Sequence, residues 1–162
     1  MTRTASRGVH DTQQHPLLHE WKRLTQEGLA ASRACCAAHA MVWHVRALRV
    51  ANQLLADPEE DIADDDRLAA FVVAHLNIAD CYADMGQPSS AAECLSCAHH
   101  KLMALLHGDT VPESLQIAAS RQLHQTYAAL SEHRAKHGEH PLVERALNAC
   151  RAHMPVPGAL LH

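Results

Sequence analysis

Residues 92–108, AECLSCAHHKLMALLHG, bring together two cysteines, three histidines and a methionine, which are residue types that bind soft metal ions. On a helical wheel the apolar residues of this stretch share one side, and Cys94 falls at the edge of that side, where we expect it to pack. Four candidate ligands gather on the other side: Cys97, His100, Met103 and His107. The spacing therefore predicts, as one interpretation, a shallow site for Cu(I) or Zn²⁺.

The same stretch lacks the complete pattern of any common metal or redox site. A structural zinc site needs four ligands, usually as two separated pairs, and only one C-x-x-C occurs here, inside a predicted helix. An Ala separates the second Cys from the His, which excludes the haem attachment motif, and no βαβ pattern supports thioredoxin-like chemistry. The favoured interpretation is that these side chains are an exposed helix wall, with soft-metal binding as the alternative.

Enzyme motifs are absent from the sequence. It contains no G-x-S-x-G, no H-E-x-x-H and no P-loop. His140 and Glu144 have the spacing of one helix face but lack the partner E-x-x-H of a di-iron site. The acidic run 57–66 lacks the glycine and the ligand spacing of an EF-hand. We therefore predict a non-enzymatic protein without a cofactor.

Composition favours an all-α fold. Of 162 residues 48% are hydrophobic but only 3% are aromatic, so Ala, Leu and Val must build the core. A formal net charge of -4 argues against nucleic-acid binding through a basic surface. No apolar stretch approaches the roughly 20 residues that cross a bilayer. We expect a cytoplasmic protein that binds no membrane and keeps its six cysteines as reduced thiols.

Turn and capping residues divide the chain into six helices, and hence into three antiparallel hairpins. Capping-box spacing at Ser90 and Glu93, and at Thr110 and Glu113, predicts two of the helix starts. We expect a disordered leader at 1–14, one helical domain at 15–155 and a loose tail at 156–162. The predicted helices are 16–34, 38–56, 67–85, 90–108, 110–137 and one from about 140 to the prolines near 155.

The three hairpins share one internal spacing. Units that start at Leu24, His75 and Tyr127 share one set of offsets, and their turn positions are Cys35, Gly86 and Gly138. Most aligned residues are small or apolar, but Glu27 and Arg134 occupy positions that are normally apolar or aromatic in the family. The best unit, 78–98, reads IADCYADMGQPSSAAECLSCA and resembles the tetratricopeptide repeat, with its small residue, Tyr, turn Gly and paired Ala positions. The unit spacing of about fifty residues exceeds the usual 34 of that family.

The resemblance implies a short right-handed solenoid that acts as an adaptor or regulator. Tetratricopeptide proteins bind a peptide or a helix of a partner on a concave face lined by the first helix of each hairpin. Transferred to this sequence, that face has mixed charge, so we expect a partner segment with charges of both signs. The implied contact residues are Lys22, Thr25, Leu29, Arg33, Leu76, Asp80, Asp84, Gln125, Glu132 and Lys136.

Self-association is a further expectation. Three hairpins are close to the minimum for a stable stack, so the outer faces of the first and last hairpins are exposed. A homodimer could use either face, and Trp43 in the segment MVWHV is one candidate contact, although burial of Trp43 between hairpins is favoured.

Overall fold

The structure is a computed structural model that describes residues 15–57 and 61–153. The leader predicted at 1–14 and the tail predicted at 156–162 lie outside these residues. The described residues form six helices and no strand, which confirms the all-α prediction. The helices are α1 (Pro16–Arg33), α2 (Ala37–Ala56), α3 (Asp64–Asp84), α4 (Pro88–His107), α5 (Glu113–His137) and α6 (Pro141–His153).

Proline, and not a capping box, begins several of the helices. Pro88 occupies the first position of α4, and no side chain in the described ranges caps that end, so the predicted start at Ser90 is wrong by most of a turn. Helix α5 begins after Pro112, again without a side-chain cap, so the box predicted at Thr110 and Glu113 does not form. Proline at the first position of a helix fixes φ in the helical range and has no N–H of its own to leave unpaired there, which favours a helix start without a capping box.

The aspartates at the end of the acidic connector form the first turn of α3 and contact α5. Helix α3 begins at Asp64, three residues earlier than predicted. Its first turn contains three aspartates, whose negative charges interact favourably with the helix dipole. Asp64 accepts hydrogen bonds from Arg67 and from the Ser114 hydroxyl, and Asp65 pairs with Arg121 at 2.6 Å. These contacts connect the start of α3 to α5.

The three predicted hairpin turns each contain a residue with positive φ. The φ angles are 58° at Cys35, 72° at Gly86 and 83° at Gly138, the three positions that the sequence alignment equated. In the first two turns the next residue donates to the carbonyl five residues earlier, from Cys36 to Ala31 at 3.0 Å and from Gln87 to Tyr82 at 2.8 Å. Cys35 tolerates a conformation that favours glycine.

Each helix packs against the next along the chain, and α3 also packs against α1 and α5, while α4 packs against α6. The core has two parts. One fills the space among α1 to α5 around Leu54, Leu68 and Leu102, and the other joins α3 to α6 around Leu95, Leu130 and Val143. Alanines at the helix contacts are almost fully buried and allow close approach. None of the helices in the described ranges combines the length and apolarity needed to cross a membrane.

Candidate functional site

A cleft of about 550 Å³ lies between α1, α3 and α5, and we call it the α1–α3–α5 cleft. Five residues that the repeat resemblance implied as partner contacts line it together: Leu29, Asp80, Asp84, Glu132 and Lys136. They come from three helices and are up to about a hundred residues apart in sequence. The remaining lining residues are Ser32, His44, Asn77, Ala83 and His137.

The cleft is acidic once its internal ion pair is counted. The Lys136 ammonium donates to Glu132 at 2.6 Å, and this hydrogen bond lowers the pKa of the Glu132 carboxyl and raises that of Lys136. Neither Asp80 nor Asp84 forms an ion pair with another described residue. Desolvation by the surrounding walls, then repulsion from Asp84 and Glu132, raises the pKa of Asp80. The two aspartates are therefore carboxylates that a cation would stabilise.

The other implied contacts divide into three groups. Lys22, Arg33 and Gln125 are exposed but do not line the cleft. Leu76 lines a smaller adjoining pocket of about 180 Å³, which also touches Asp80, Glu132 and Lys136. The partner contact predicted at Thr25 is not available, because the residue is only 8% exposed and this side of α1 faces the core next to Leu24.

His44 is a cleft residue that the sequence reasoning did not select for binding. It reaches the cleft from α2, is 1% exposed, and its Nδ1 has no hydrogen-bond partner among the described residues. Burial lowers its pKa, so the imidazole is neutral at pH 7. A Cβ at Gly28 would lie 2.4 Å from Cε1 of His44, so only glycine admits the ring here. The sequence did contain an indication of this contact, because Gly28 and His44 are both aligned positions of the first repeat unit.

A second concavity of about 440 Å³ lies between α4 and α6, and we call it the α4–α6 groove. Three of the four candidate metal ligands, Cys97, His100 and Met103, line it, whereas His107 is exposed beyond it. Within 15–57 and 61–153 no group of three or more His, Cys, Asp or Glu side chains is arranged to hold a metal ion. Soft-metal binding stays a prediction from the sequence, and elemental analysis of untagged protein purified without chelators tests it.

The cysteines are free thiols, and three of them are shielded. Cys94 packs against the second core and donates to the carbonyl of His75 at 3.3 Å, which confirms its predicted packing role. Burial raises the pKa of Cys94 to about 12 and also raises the pKa values of Cys81 and Cys150. These three thiols are protonated at neutral pH and are therefore poor nucleophiles. Cys35, Cys36 and Cys97 are exposed.

Comparison with known proteins assigns a family without an activity. No curated protein and no solved structure matches the chain. One family model, described as "Protein of unknown function (DUF2753)", matches residues 19–156, which include all of the helices described above except the first turn of α1. Because the match covers most of the chain, the protein belongs to the DUF2753 family.

Proposed function

We propose that this protein is a non-catalytic interaction module that binds a basic segment of a partner protein in the α1–α3–α5 cleft. The observation that carries the proposal is the convergence of Asp80 and Asp84, neither of them paired with a cation among the described residues, with Leu29 and the Glu132–Lys136 pair in one cleft. A lysine or arginine of a partner would neutralise the two aspartates, while Leu29, 38% exposed, offers apolar contact beside them.

The proposal includes a tetratricopeptide-like arrangement of the hairpins in a right-handed solenoid. Three observations support it. The equivalent turn positions Cys35, Gly86 and Gly138 all have positive φ. The first helices pack in series, α1 on α3 and α3 on α5. The small position of the first unit, Gly28, is a site of close helix approach to the ring of His44. In such a stack the inner wall would be the surface that carries the cleft.

The charge of the proposed partner differs from the mixed charge expected from the sequence. That expectation counted Lys22 and Arg33 on the same face as the aspartates, but both lie outside the cleft. Lys136 is the remaining cation, and its charge is engaged by Glu132. The partner segment should therefore be basic, and its binding should weaken with added salt.

The proposal retains cytoplasmic location, absence of a cofactor and the homodimer expectation. Trp43 is half-buried against the first core and its indole N–H donates to His39 at 3.2 Å, so its neighbours are better contacts between copies. Val42 and Val45 on α2 are 48% and 37% exposed. If α2 mediates a dimer, Val42→Glu should lower the mass found by light scattering.

A peptide-binding experiment with charge-matched variants tests the cleft. The probe is a fluorescein-labelled 15-residue peptide of alternating Leu and Lys blocks, and its counterpart has Glu in place of every Lys. Fluorescence anisotropy should show binding of the Lys peptide alone. Asp80→Lys with Asp84→Lys should weaken it by about tenfold or more, since two neighbouring carboxylates become ammonium groups.

The matched control is Asp109→Lys with Glu113→Lys, which changes the net charge equally at two exposed acidic residues outside the cleft. It should leave the affinity within about twofold, because Glu113 and Glu132 lie 19 residues apart on α5, about 28 Å, which exceeds the Debye length of about 8 Å at physiological salt. Equal losses in the two double variants would show unspecific attraction to a negatively charged protein and would contradict the proposal.

A further inference from the structure

The α4–α6 groove has the wall composition of a small-molecule site. Its volume of about 440 Å³ lies in the range of ligand pockets, and its walls include Met103, Leu142 and Ala146. The lining also includes Glu93, His100 and Arg145, and two further lining residues each have a buried polar atom without a hydrogen-bond partner among the described residues. These atoms are Oγ of Ser96 and Nε2 of His99, three residues apart on α4. His99 is 1% exposed.

The hydrogen bonds around His99 determine whether its Nε2 is a hydrogen-bond donor or an acceptor. The Thr126 hydroxyl donates its one proton to the carbonyl of Leu123 at 3.1 Å. Its oxygen lies 2.8 Å from Nδ1 of His99, and with the hydroxyl proton directed to Leu123 we assign this oxygen as the acceptor of Nδ1–H. In the neutral ring Nε2 then carries a lone pair and is an acceptor. Burial, with a smaller contribution from His100, lowers the pKa of His99 and favours this neutral form.

We propose that the α4–α6 groove binds a small apolar molecule that carries one hydrogen-bond donor, a hydroxyl or an N–H, directed to Nε2 of His99. The apolar body would lie along Met103, Leu142 and Ala146, and the Ser96 hydroxyl would contribute a second polar contact. A buried acceptor left without a donor costs free energy, so a ligand that supplies the donor is preferred over an isostere that lacks it. This site is separate from the cleft and does not depend on the proposed peptide binding.

Indole and benzofuran are suitable probes, because they have nearly the same shape but only indole has an N–H donor. Titration of ¹⁵N-labelled full-length protein with each, followed by two-dimensional amide NMR, locates and measures binding. We expect indole to shift amides of α4 and α6 around Ser96, His99 and Ala146. Benzofuran should bind at the same place about tenfold more weakly, since it lacks one hydrogen bond.

Variants on α6 make the test independent of His99. Ala149→Phe fills the groove and should abolish the indole shifts, whereas Asn148→Phe, on an exposed neighbour that does not line the groove, should preserve them. His99→Phe should make indole and benzofuran equivalent; if this variant does not fold, the α6 pair still decides. The proposal is overturned by absence of indole binding, by shifts outside the groove, by equal affinity of the two probes, or by insensitivity to Ala149→Phe.

Discussion

The cleft and the groove each have one buried histidine in their walls, but the two rings are held by different forces. Within the described part of the chain Nδ1 of His44 has no hydrogen-bond partner, and the ring fits against the backbone of Gly28, where any side chain would overlap it. His99 is oriented by the Thr126 hydroxyl at 2.8 Å, and this bond also selects its tautomer. Packing shape positions the first ring, and a hydrogen bond positions the second.

This difference separates the two kinds of recognition that we propose. In the cleft the chemistry comes from exposed carboxylates, and His44 mainly shapes the wall, so charge should dominate and the partner can vary. In the groove the chemistry comes from a single buried acceptor among apolar side chains, so the presence or absence of one donor should matter. Substitutions that disturb one ring should therefore leave the other site intact.

The largest effect should come from Gly28→Ala, which tests packing at His44. Alanine normally stabilises a helix over glycine by about 0.5–1 kcal/mol. Here the new Cβ would lie 2.4 Å from the His44 ring, so we expect a loss of about 1–3 kcal/mol from the free energy of unfolding, measured by urea denaturation. The same substitution in a His44→Ala background should be stabilising. A stabilising Gly28→Ala in the wild-type background would show that the ring is not held by shape.

Thr126→Val tests the hydrogen bond at His99 and should cost about 1–2 kcal/mol, because it leaves a buried N–H without an acceptor. Thr126→Ser keeps the hydroxyl and serves as the control. Long-range ¹H–¹⁵N NMR should show Nδ1 of His99 protonated in the wild type and in Thr126→Ser, and a changed signal in Thr126→Val. Equal stability and identical His99 spectra in the two variants would contradict the assigned tautomer.

Acid should destabilise both regions through their buried histidines. Burial lowers the pKa values of His44, His75 and His99, so below about pH 6.5 the unfolded chain binds protons that the folded chain does not. The stability contributed by the neutral rings is present above this pH and is lost as pH falls towards the folded pKa values. Each histidine can add a slope of at most about 1.4 kcal/mol per pH unit.

Urea denaturation between pH 7.5 and 5.5 measures this loss. His44→Gln should reduce the slope, while His124→Gln, a change at an exposed histidine, should not. A flat profile for the wild type would show that the buried rings are not kept neutral by the fold.

The smallest effect concerns Asp80 and has the opposite sign to that of the histidines. Its raised folded pKa means that the carboxyl favours folding below its unfolded pKa and that this contribution is lost as pH rises through the folded value. At pH 7 Asp80→Asn should therefore stabilise the protein, by less than about 1 kcal/mol because the side chain is exposed to screening. It should also weaken binding of the Lys peptide, whereas Asp109→Asn should change neither quantity. A less stable Asp80→Asn protein would contradict the proposed like-charge crowding in the cleft.

The sequence by itself determined the helices and their turns. Ala and Leu content with helical periodicity predicted six helices, and the repeat alignment equated Cys35, Gly86 and Gly138, which all have positive φ. These features depend on neighbours a few residues away, so local sequence encodes them. Errors arose at helix starts such as Ser90, where Pro88 begins the helix first.

The tertiary structure alone decided which faces meet. Periodicity identifies the apolar face of a helix but not the helix that packs against it. The sequence therefore predicted Thr25 as a partner contact, whereas the packing of α1 buries it. The sequence predicted the exposed Cys97 and His100 as candidate metal ligands, but it did not predict a role for His99, which lies between them. The proposed binding role of His99 depends on its hydrogen bond to Thr126, 27 residues away in sequence, and on the position of α6 across the groove. Such contacts arise when separate helices pack around a shared core, and no local pattern records that packing.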